Sequence, residues 1–582
     1  HAVHGHEESE QAAPWLRPFL AIQERFERGF ARFRAAYRRL LETILTRRVG
    51  FAILFLALCL GSWLLVPWLG QDFFPNVDAG QIRLHLRART GTRVEETAKL
   101  VQEVEVAIRR EIPATEMEGI LDNIGIPNSG IALSYSNNGL IGAGDSDILI
   151  SLKGGGHHPT EGYIRRLREQ LNREFPGTMF YFLPADIVSQ TLNFGIPAPL
   201  NIQITGWDRA KNREIAATLV EKMRKIPGAV DIRVQQPGDL PKLRFDIDRT
   251  KAEAIGLTEH DIASAVLLSV SGSGQVQPAF WLNPTYGIQY LINARATERA
   301  LDSVAALKSL PVSASSPGLG NGQVLANVAT MTRTNGSPVF SHYNAVPVLD
   351  VFGGVSGRDL GGVLRELRPL LAETEKALPH GSHLILRGQA ETMYSSFIGL
   401  GIGLLGAIAL IYLLLVVNFQ SWLDPFIIIT ALPGALAGVI WALFLTFTTL
   451  SVPALMGAIM SLGVATSNSV LVITFARNNL RDGMDPVQAA LNAGAGRLRP
   501  VLMTALAMVI GMLPMSLGWG EGGEQNAPLC RAVIGGLVLA TVATLFFVPV
   551  VFSLMHRRIP KAPAPTHSNA PLAPTAVSAQ LT

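Results

Sequence analysis

The chain has 582 residues, 48% hydrophobic and 16% charged, with a mean hydropathy of +0.29. That balance excludes an ordinary soluble protein and a pure membrane bundle alike, and 49 basic against 45 acidic residues exclude a nucleic-acid surface built on net charge. Cys59 and Cys530, the two cysteines, offer no disulfide framework.

The opening His-Ala-Val-His-Gly-His run has no initiating Met and no signal-peptide pattern, and reads as a piece of a longer protein or as a tag. His1, His4 and His6 read as solvated side chains. Residues 14–48 then show Phe19, Ile22, Phe26, Phe30, Phe33, Tyr37, Leu40 and Ile44 at three- and four-residue steps, with arginines between them. This predicts an amphipathic helix, either on an inner membrane surface or packed on protein loops.

A first apolar span follows at Phe51–Leu69, long enough to cross ~30 Å of hydrocarbon. The polar block from Gly70 to Thr392 repeats a strand–helix–strand pattern. Gln81–Arg87 alternates as a half-buried strand, and a helix follows with Val94, Ala98, Val101, Val104 and Ile108 on one face. The pattern returns at Leu200–Ile204, Ile215–Ile226 and Val230–Val234, with a further strand at Leu243, Phe245 and Ile247. It returns again at Val346–Phe352, Leu360–Leu371 and Leu384–Leu386. Such units predict α/β sandwiches of split βαβ topology. Residues 251–325 break the pattern with a helix near Thr258–Leu268 and Gly/Ser-rich, β-rich sequence, and read as an inserted lobe.

Five more spans are predicted near Ser395–Val417, Pro425–Phe447, Pro453–Phe475, Pro500–Gly518 and Arg531–Phe552. Arginines cluster before the first span, between the fourth and fifth, and after the last. Cytoplasmic loops retain Lys and Arg, so both ends are expected inside and the polar block outside. The tail 556–582 is expected to be disordered.

Ser271–Gln275 lacks the Gly-Lys-Ser/Thr ending of a phosphate loop, and Gly154–Gly156 reads as a turn. No cofactor and no metal-ligand spacing is expected; His157 and His158 read as solvated. The spans are most polar at Thr466, Ser467, Asn468 and Ser469 in the fourth, with Thr504 in the fifth. Ser and Thr can bond their own helix backbone, but Asn468 calls for a partner on another helix or a relay role. Pro433, Pro514 and Pro549 mark kinks. Met503, Met508, Met512 and Met515 read as packing rather than a soft-metal path.

Several segments, in order, carry a family likeness: Gln71-Asp-Phe-Phe-Pro-Asn-Val-Asp-Ala-Gly-Gln81, Arg244-Phe-Asp-Ile-Asp248, Asn418-Phe-Gln-Ser-Trp422, Gly463–Phe475 and Arg497-Leu-Arg-Pro-Val-Leu-Met-Thr504. From about residue 15 to 558 the chain resembles the C-terminal half of a resistance-nodulation-division (RND) inner-membrane efflux transporter, most like the multidrug (hydrophobe/amphiphile) branch. The resemblance implies a membrane α-helical bundle of six transmembrane helices. It adds an α+β periplasmic domain of ferredoxin-like porter subdomains and an inserted docking lobe.

The implied domains are a cytoplasmic amphipathic helix at 1–50 and the first transmembrane helix at 51–70. A porter subdomain follows at 71–197, a second at 198–245 and 326–392, and the docking lobe at 246–325. Five transmembrane helices occupy 393–555. The implied function is proton-driven export of hydrophobic or amphipathic compounds by a secondary transporter, not an enzyme.

Implied partners are a periplasmic membrane-fusion adaptor, an outer-membrane channel, an N-terminal half carrying an Asp pair, two further copies in a homotrimer, and the lipid bilayer. Tyr135, Leu140 and Ile141, in the glycine-rich stretch Ser134–Ser146, match a family loop between substrate pockets. Asn468 and Thr504 match positions around the family's proton relay. Ser467 stands where the family usually has a Lys that pairs with the two Asp; without that cation the carboxylates would resist joint ionisation. A heavy-metal exporter of the same superfamily and a non-transporting scaffold or degraded pump remnant are the alternatives.

Overall fold

The computed structural model describes residues 17–126, 142–154, 156–193, 195–238, 240–313, 323–519 and 522–556. Among them six helical segments are long and apolar enough to cross a membrane: Arg48–Trp68, Gln389–Phe419, Leu423–Leu445, Val452–Arg481, Pro486–Ser516 and Gly523–Met555. An α/β head lies between the first and second. The fifth begins at Pro486 rather than near Pro500. Asp485 caps it by accepting from the Val487 N–H at 3.1 Å, and proline is tolerated in a first helical turn.

Helix α1 (Arg17–Thr46) leads into α2 (Arg48–Ser62), which tightens into a 3-10 turn over Trp63–Trp68 around Pro67. Tyr37, Leu41 and Leu45, one turn apart, bury their side chains in the bundle. The Tyr37 hydroxyl donates to the Leu545 carbonyl at 2.6 Å. Phe26, Phe33 and Leu40 stay exposed, so the free apolar stripe is narrower than the sequence pattern.

The first unit of the head runs β1 (Gln81–Arg87), α3 (Val94–Glu111), β2 (Met117–Ile124), β3 (Asp145–Leu152), α4 (Thr160–Glu174) and β4 (Met179–Leu183). Its sheet has the order β2-β3-β1-β4, antiparallel throughout. Ile82, Leu84 and Leu86 share one face of β1 and pack with Val101, Val104 and Ile108 of α3 and Leu167 and Leu171 of α4.

The second unit repeats the plan with β5 (Leu200–Thr205), α5 (Arg209–Met223) and β6 (Ala229–Val234), then, much later, β11 (Ser341–Tyr343), β12 (Val346–Val355), α7 (Leu360–Ala377) and β13 (His383–Gly388). Between these halves lie β7 (Leu240–Ile247), α6 (Glu259–Ser271), β8 (Ala279–Leu282), β9 (Gln289–Ile292) and β10 (Ala329–Gly336). Ile202 on β5 stands opposite Val351 on β12 and Leu386 on β13, while β6 pairs with the other edge of β12. Both units therefore carry their long excursion between second and third core strands.

Leu243, Phe245 and Ile247, read in sequence as a strand of the repeat, do not join the five-stranded sheet. Their strand β7 pairs with β10 as a two-stranded ribbon, and Phe245 and Ile247 pack on the lobe core around Ile262, Leu310 and Leu325. Alternation identified the strand, but the same alternation serves a ribbon whose partner lies beyond the insertion.

The remaining helices are α8 (Gln389–Phe419), α9 (Leu423–Ile429), α10 (Leu432–Leu445), α11 (Val452–Arg481), α12 (Pro486–Ser516) and α13 (Gly523–Val542). A π-helical turn over Ala543–Phe547 and α14 (Val548–Met555) complete the last span. α10, α11 and α13 form the bundle centre through small residues. A side chain added at Gly438 would overlap the Gly535 carbonyl, and one at Gly457 the Leu529 carbonyl.

Candidate functional site

Mid-bundle polarity gathers where α11 meets α12 and the last span. The Thr504 hydroxyl donates to Asn468 Oδ1 at 3.1 Å while also lying 3.0 Å from the Val501 carbonyl. Asn468 is buried, and its Nδ2 has no hydrogen-bond partner among the described residues. On the next residue of α11, Ser469 Oγ meets Thr544 Oγ1 at 2.9 Å. Thr466 returns its hydroxyl to its own helix, at the Gly463 and Leu462 carbonyls.

Of the three residues singled out by sequence, two come together and one does not. Ser467 lies on an exposed stripe of α11 with Met456, Met460, Gly463, Leu471 and Thr474. The spacing is helical, so the stripe is one continuous face. Tyr135, Leu140 and Ile141 lie outside the described residues.

A second polar centre sits in the head and was not singled out from the sequence. His85 is fully buried on β1, with Nδ1 2.5 Å from Asp147 Oδ1 and Nε2 3.5 Å from Asp145 Oδ1. Arg83 bonds Asp147 at 2.8 Å and Arg87 bonds Asp145 at 2.7 Å. Burial pushes both aspartates up, but the His85 ring and these arginines outweigh it and hold each below the usual carboxylate range. The signal was present as basic residues at every second position of β1 facing Asp145 and Asp147 of β3 in register. It was masked because charge on a strand normally marks a solvent face.

Tyr181 of β4 stacks on His85 at 4.4 Å, and the Arg233 guanidinium of the second unit lies 3.4 Å over the same ring. Beside them Arg168 of α4 forks onto both carboxylate oxygens of Asp231, each at 2.9 Å. Asp231 has a left-handed backbone, φ 56°, a conformation uncommon outside glycine, Asn and Asp. This ion pair is shared by two cavities along the seam between the units, of about 350 Å³ and 510 Å³. The first combines Ile82, Ile164 and Phe182 with Arg83, Arg168 and Asp186, and falls in the ~300–1,000 Å³ range of small-molecule sites.

The model of a family described as AcrB/AcrD/AcrF matches residues 3–556. The cobalt-zinc-cadmium resistance protein CzcA of Cupriavidus metallidurans is 28% identical over 537 residues, covering 90% of this chain and 48% of that protein. The nickel-cobalt-cadmium resistance protein NccA of Alcaligenes xylosoxydans xylosoxydans is 29% identical over 553 residues, with 94% and 50% covered. A crystal structure of a heavy metal efflux pump matches with a TM-score of 0.76 at 26% identity, over 91% of this chain and 52% of that one. The chain thus spans about half the length of the curated relatives it matches.

Proposed function

The chain belongs to the AcrB/AcrD/AcrF family of RND efflux transporters, and from that premise we propose that it forms the C-terminal half of a secondary exporter driven by a proton gradient. The observation that carries the proposal is the Asn468–Thr504 pair. It is a hydrogen-bonded polar couple halfway along two membrane helices, with a buried amide donor still open. Polar side chains at that depth face the bundle interior and bond across helices rather than meet lipid.

A second set of helices packed on the exposed α11 stripe would bring its carboxylates to the face of Ser467, one position along from Asn468. Protonation of those carboxylates would alter how the second set packs on α11 and shift the Asn468–Thr504 couple with that helix. In this reading the head lies in the periplasm of an inner-membrane protein that assembles as a trimer with an adaptor and an outer-membrane channel. The units 71–197 and 198–245 with 326–392 act as porter subdomains, and 246–325 as the docking lobe.

For cargo, the seam cavity supports hydrophobic or amphipathic compounds, because its volume and its mixed apolar and charged wall exceed what a single ion needs. The named substrates of CzcA and NccA favour a second reading, divalent metal cations.

One experiment addresses both. The natural full-length protein is expressed in a host stripped of its own pumps and challenged with amphipathic dyes and, separately, with Co²⁺, Zn²⁺, Cd²⁺ and Ni²⁺. Lower dye accumulation supports the first cargo and lower metal accumulation the second. An Asn468→Ala/Thr504→Ala variant that folds and exports like its parent removes the assigned site.

A further inference from the structure

We infer that Glu524 and Asp78 form a latch that makes α4 a lever between the membrane bundle and the seam of the head; what the lever moves rests on the exporter reading. Helix α4 begins poorly on its own. Pro159 precedes it and supplies no side-chain cap, so its first N–H groups need partners from elsewhere. The Thr160 N–H donates to Asp78 Oδ2 at 3.0 Å. The Asp78 N–H in turn donates to Glu524 Oε2 at 2.8 Å, and Glu524 sits in the first turn of α13. Two hydrogen bonds therefore tie the start of a head helix to the start of the last membrane span.

The same helix grips the opposite unit. Arg168 forks onto Asp231 of β6, and Glu161 Oε1 accepts from the Ser356 hydroxyl beyond β12 at 2.7 Å. Asp78, Thr160, Arg168, Asp231 and Glu524 all line the smaller seam cavity. Movement of α4 about the Arg168–Asp231 fork necessarily reshapes that cavity.

The second unit is wired to a different span. Asp359, at the start of α7, accepts from the Gln71 N–H at 2.9 Å, and Asp72 accepts from the Leu360 N–H at 2.8 Å. The Asp72 N–H donates to the Leu450 carbonyl at 3.0 Å, and the Val452 N–H to the Phe73 carbonyl at 3.1 Å. Val452 opens α11, the helix that carries Asn468. The strap is closely packed: a side chain at Gly361 would meet Gln71 Cβ at 2.6 Å. The first unit thus follows α13 and the second follows α11. A shift of one span against the other becomes a relative rotation across the seam, a packed arrangement of the kind that switches between discrete states.

The test uses the natural full-length protein in liposomes, with spin labels at Arg165→Cys and Trp519→Cys, both exposed positions. Cys59 and Cys530 are buried, and any cysteine of the full-length protein outside these residues is replaced by serine beforehand. Without any gradient, Glu524→Ala is expected to widen the distance distribution between the labels. Glu524→Gln keeps an oxygen acceptor and should leave the distribution narrow.

With a gradient, Glu524→Ala should lose export by a factor in the ~5–150-fold range of site-to-site coupling. An unchanged distribution in Glu524→Ala, or an equal loss of export in Glu524→Gln, overturns the latch. The distances are read without a gradient, so they test the latch whatever the protein exports. Failure of the unaltered protein to move any cargo overturns the exporter reading alone.

Discussion

Leaving a buried polar group without its partner costs about 1–3 kcal/mol, and Asn468 carries an unpartnered amide nitrogen in the middle of a membrane helix. Thr504→Val would strip its Oδ1 as well, at a further cost of about 1–3 kcal/mol. Thr504→Ser, which keeps the hydroxyl, should cost little. Thermal unfolding of the two variants in detergent checks the difference.

The head holds a titrating counterpart. Burial, with the neighbouring Glu105, pushes Asp122 up to about 7, while its hydrogen bond moves Glu105 down. A carboxyl raised in the folded state stabilises most below its ordinary value of 3.8 and loses that contribution as pH rises through about 7. Asp122→Asn should therefore match its parent near the acid end and melt higher than it at alkaline pH; a constant offset across the range would contradict the assignment. Asp147 behaves oppositely. Its depressed pKa gives stability that is lost as pH falls below the ordinary carboxylate range. Asp147→Ala, which takes the nearer carboxylate from the buried His85 and an ion-pair partner from the half-buried Arg83, should cost about 3–5 kcal/mol.

At the scale of elements, the glycines sort into two kinds. Gly399, Gly401, Gly403 and Gly406 of α8 face open space, whereas Gly438, Gly457 and Gly535 bring α10, α11 and α13 into backbone contact, and Gly536 packs on the Ser461 and Val439 side chains. Overpacking a close contact costs about 1–3 kcal/mol, so Gly535→Ala should lower the yield of folded protein while Gly403→Ala leaves it unchanged, as size-exclusion profiles would show.

The sequence could not make this distinction, because every one of these glycines lies in an equally apolar run. The spans themselves were legible, since length and hydropathy suffice for a helix that must satisfy its backbone within itself. So were β1, α3, β5, α5 and β12, whose alternation or helical periodicity is intact. β3 and α4 escaped notice. β3 carries Asp145 and Asp147 inward, and α4 is so rich in charge that only Tyr163, Leu167 and Leu171 mark its buried stripe. The site was legible by residue type but not by direction. Adjacent positions on a helix differ by about 100°, so Ser467 and Asn468 look equivalent in sequence and face opposite surroundings in the fold.

Across the whole molecule that difference in direction has a consequence for assembly. The apolar 18-residue stretches of the spans are buried very unevenly: 72% of that stretch in the last and 61% in the third lies inside, against 6% in the second and 17% in the fifth. The fourth, α11, is half-buried at 50%, although it is the helix that carries the polar site. Its exposed stripe is neither purely apolar nor bulky. Small residues such as Gly463 and Ser467 interrupt Met456, Met460 and Leu471, the composition that lets membrane helices approach closely.

A lipid-facing helix has no need of that composition, and a helix facing a second bundle does. Ser467→Cys tests the distinction. In the polypeptide of these 582 residues alone, a membrane-permeant thiol reagent should modify the new cysteine. In the natural full-length protein the position should be protected, with Leu405→Cys on α8, an exposed position, reacting in both as the lipid-facing control. Equal reaction of Ser467→Cys in both would leave the α11 stripe to lipid and remove the second bundle from the assembly.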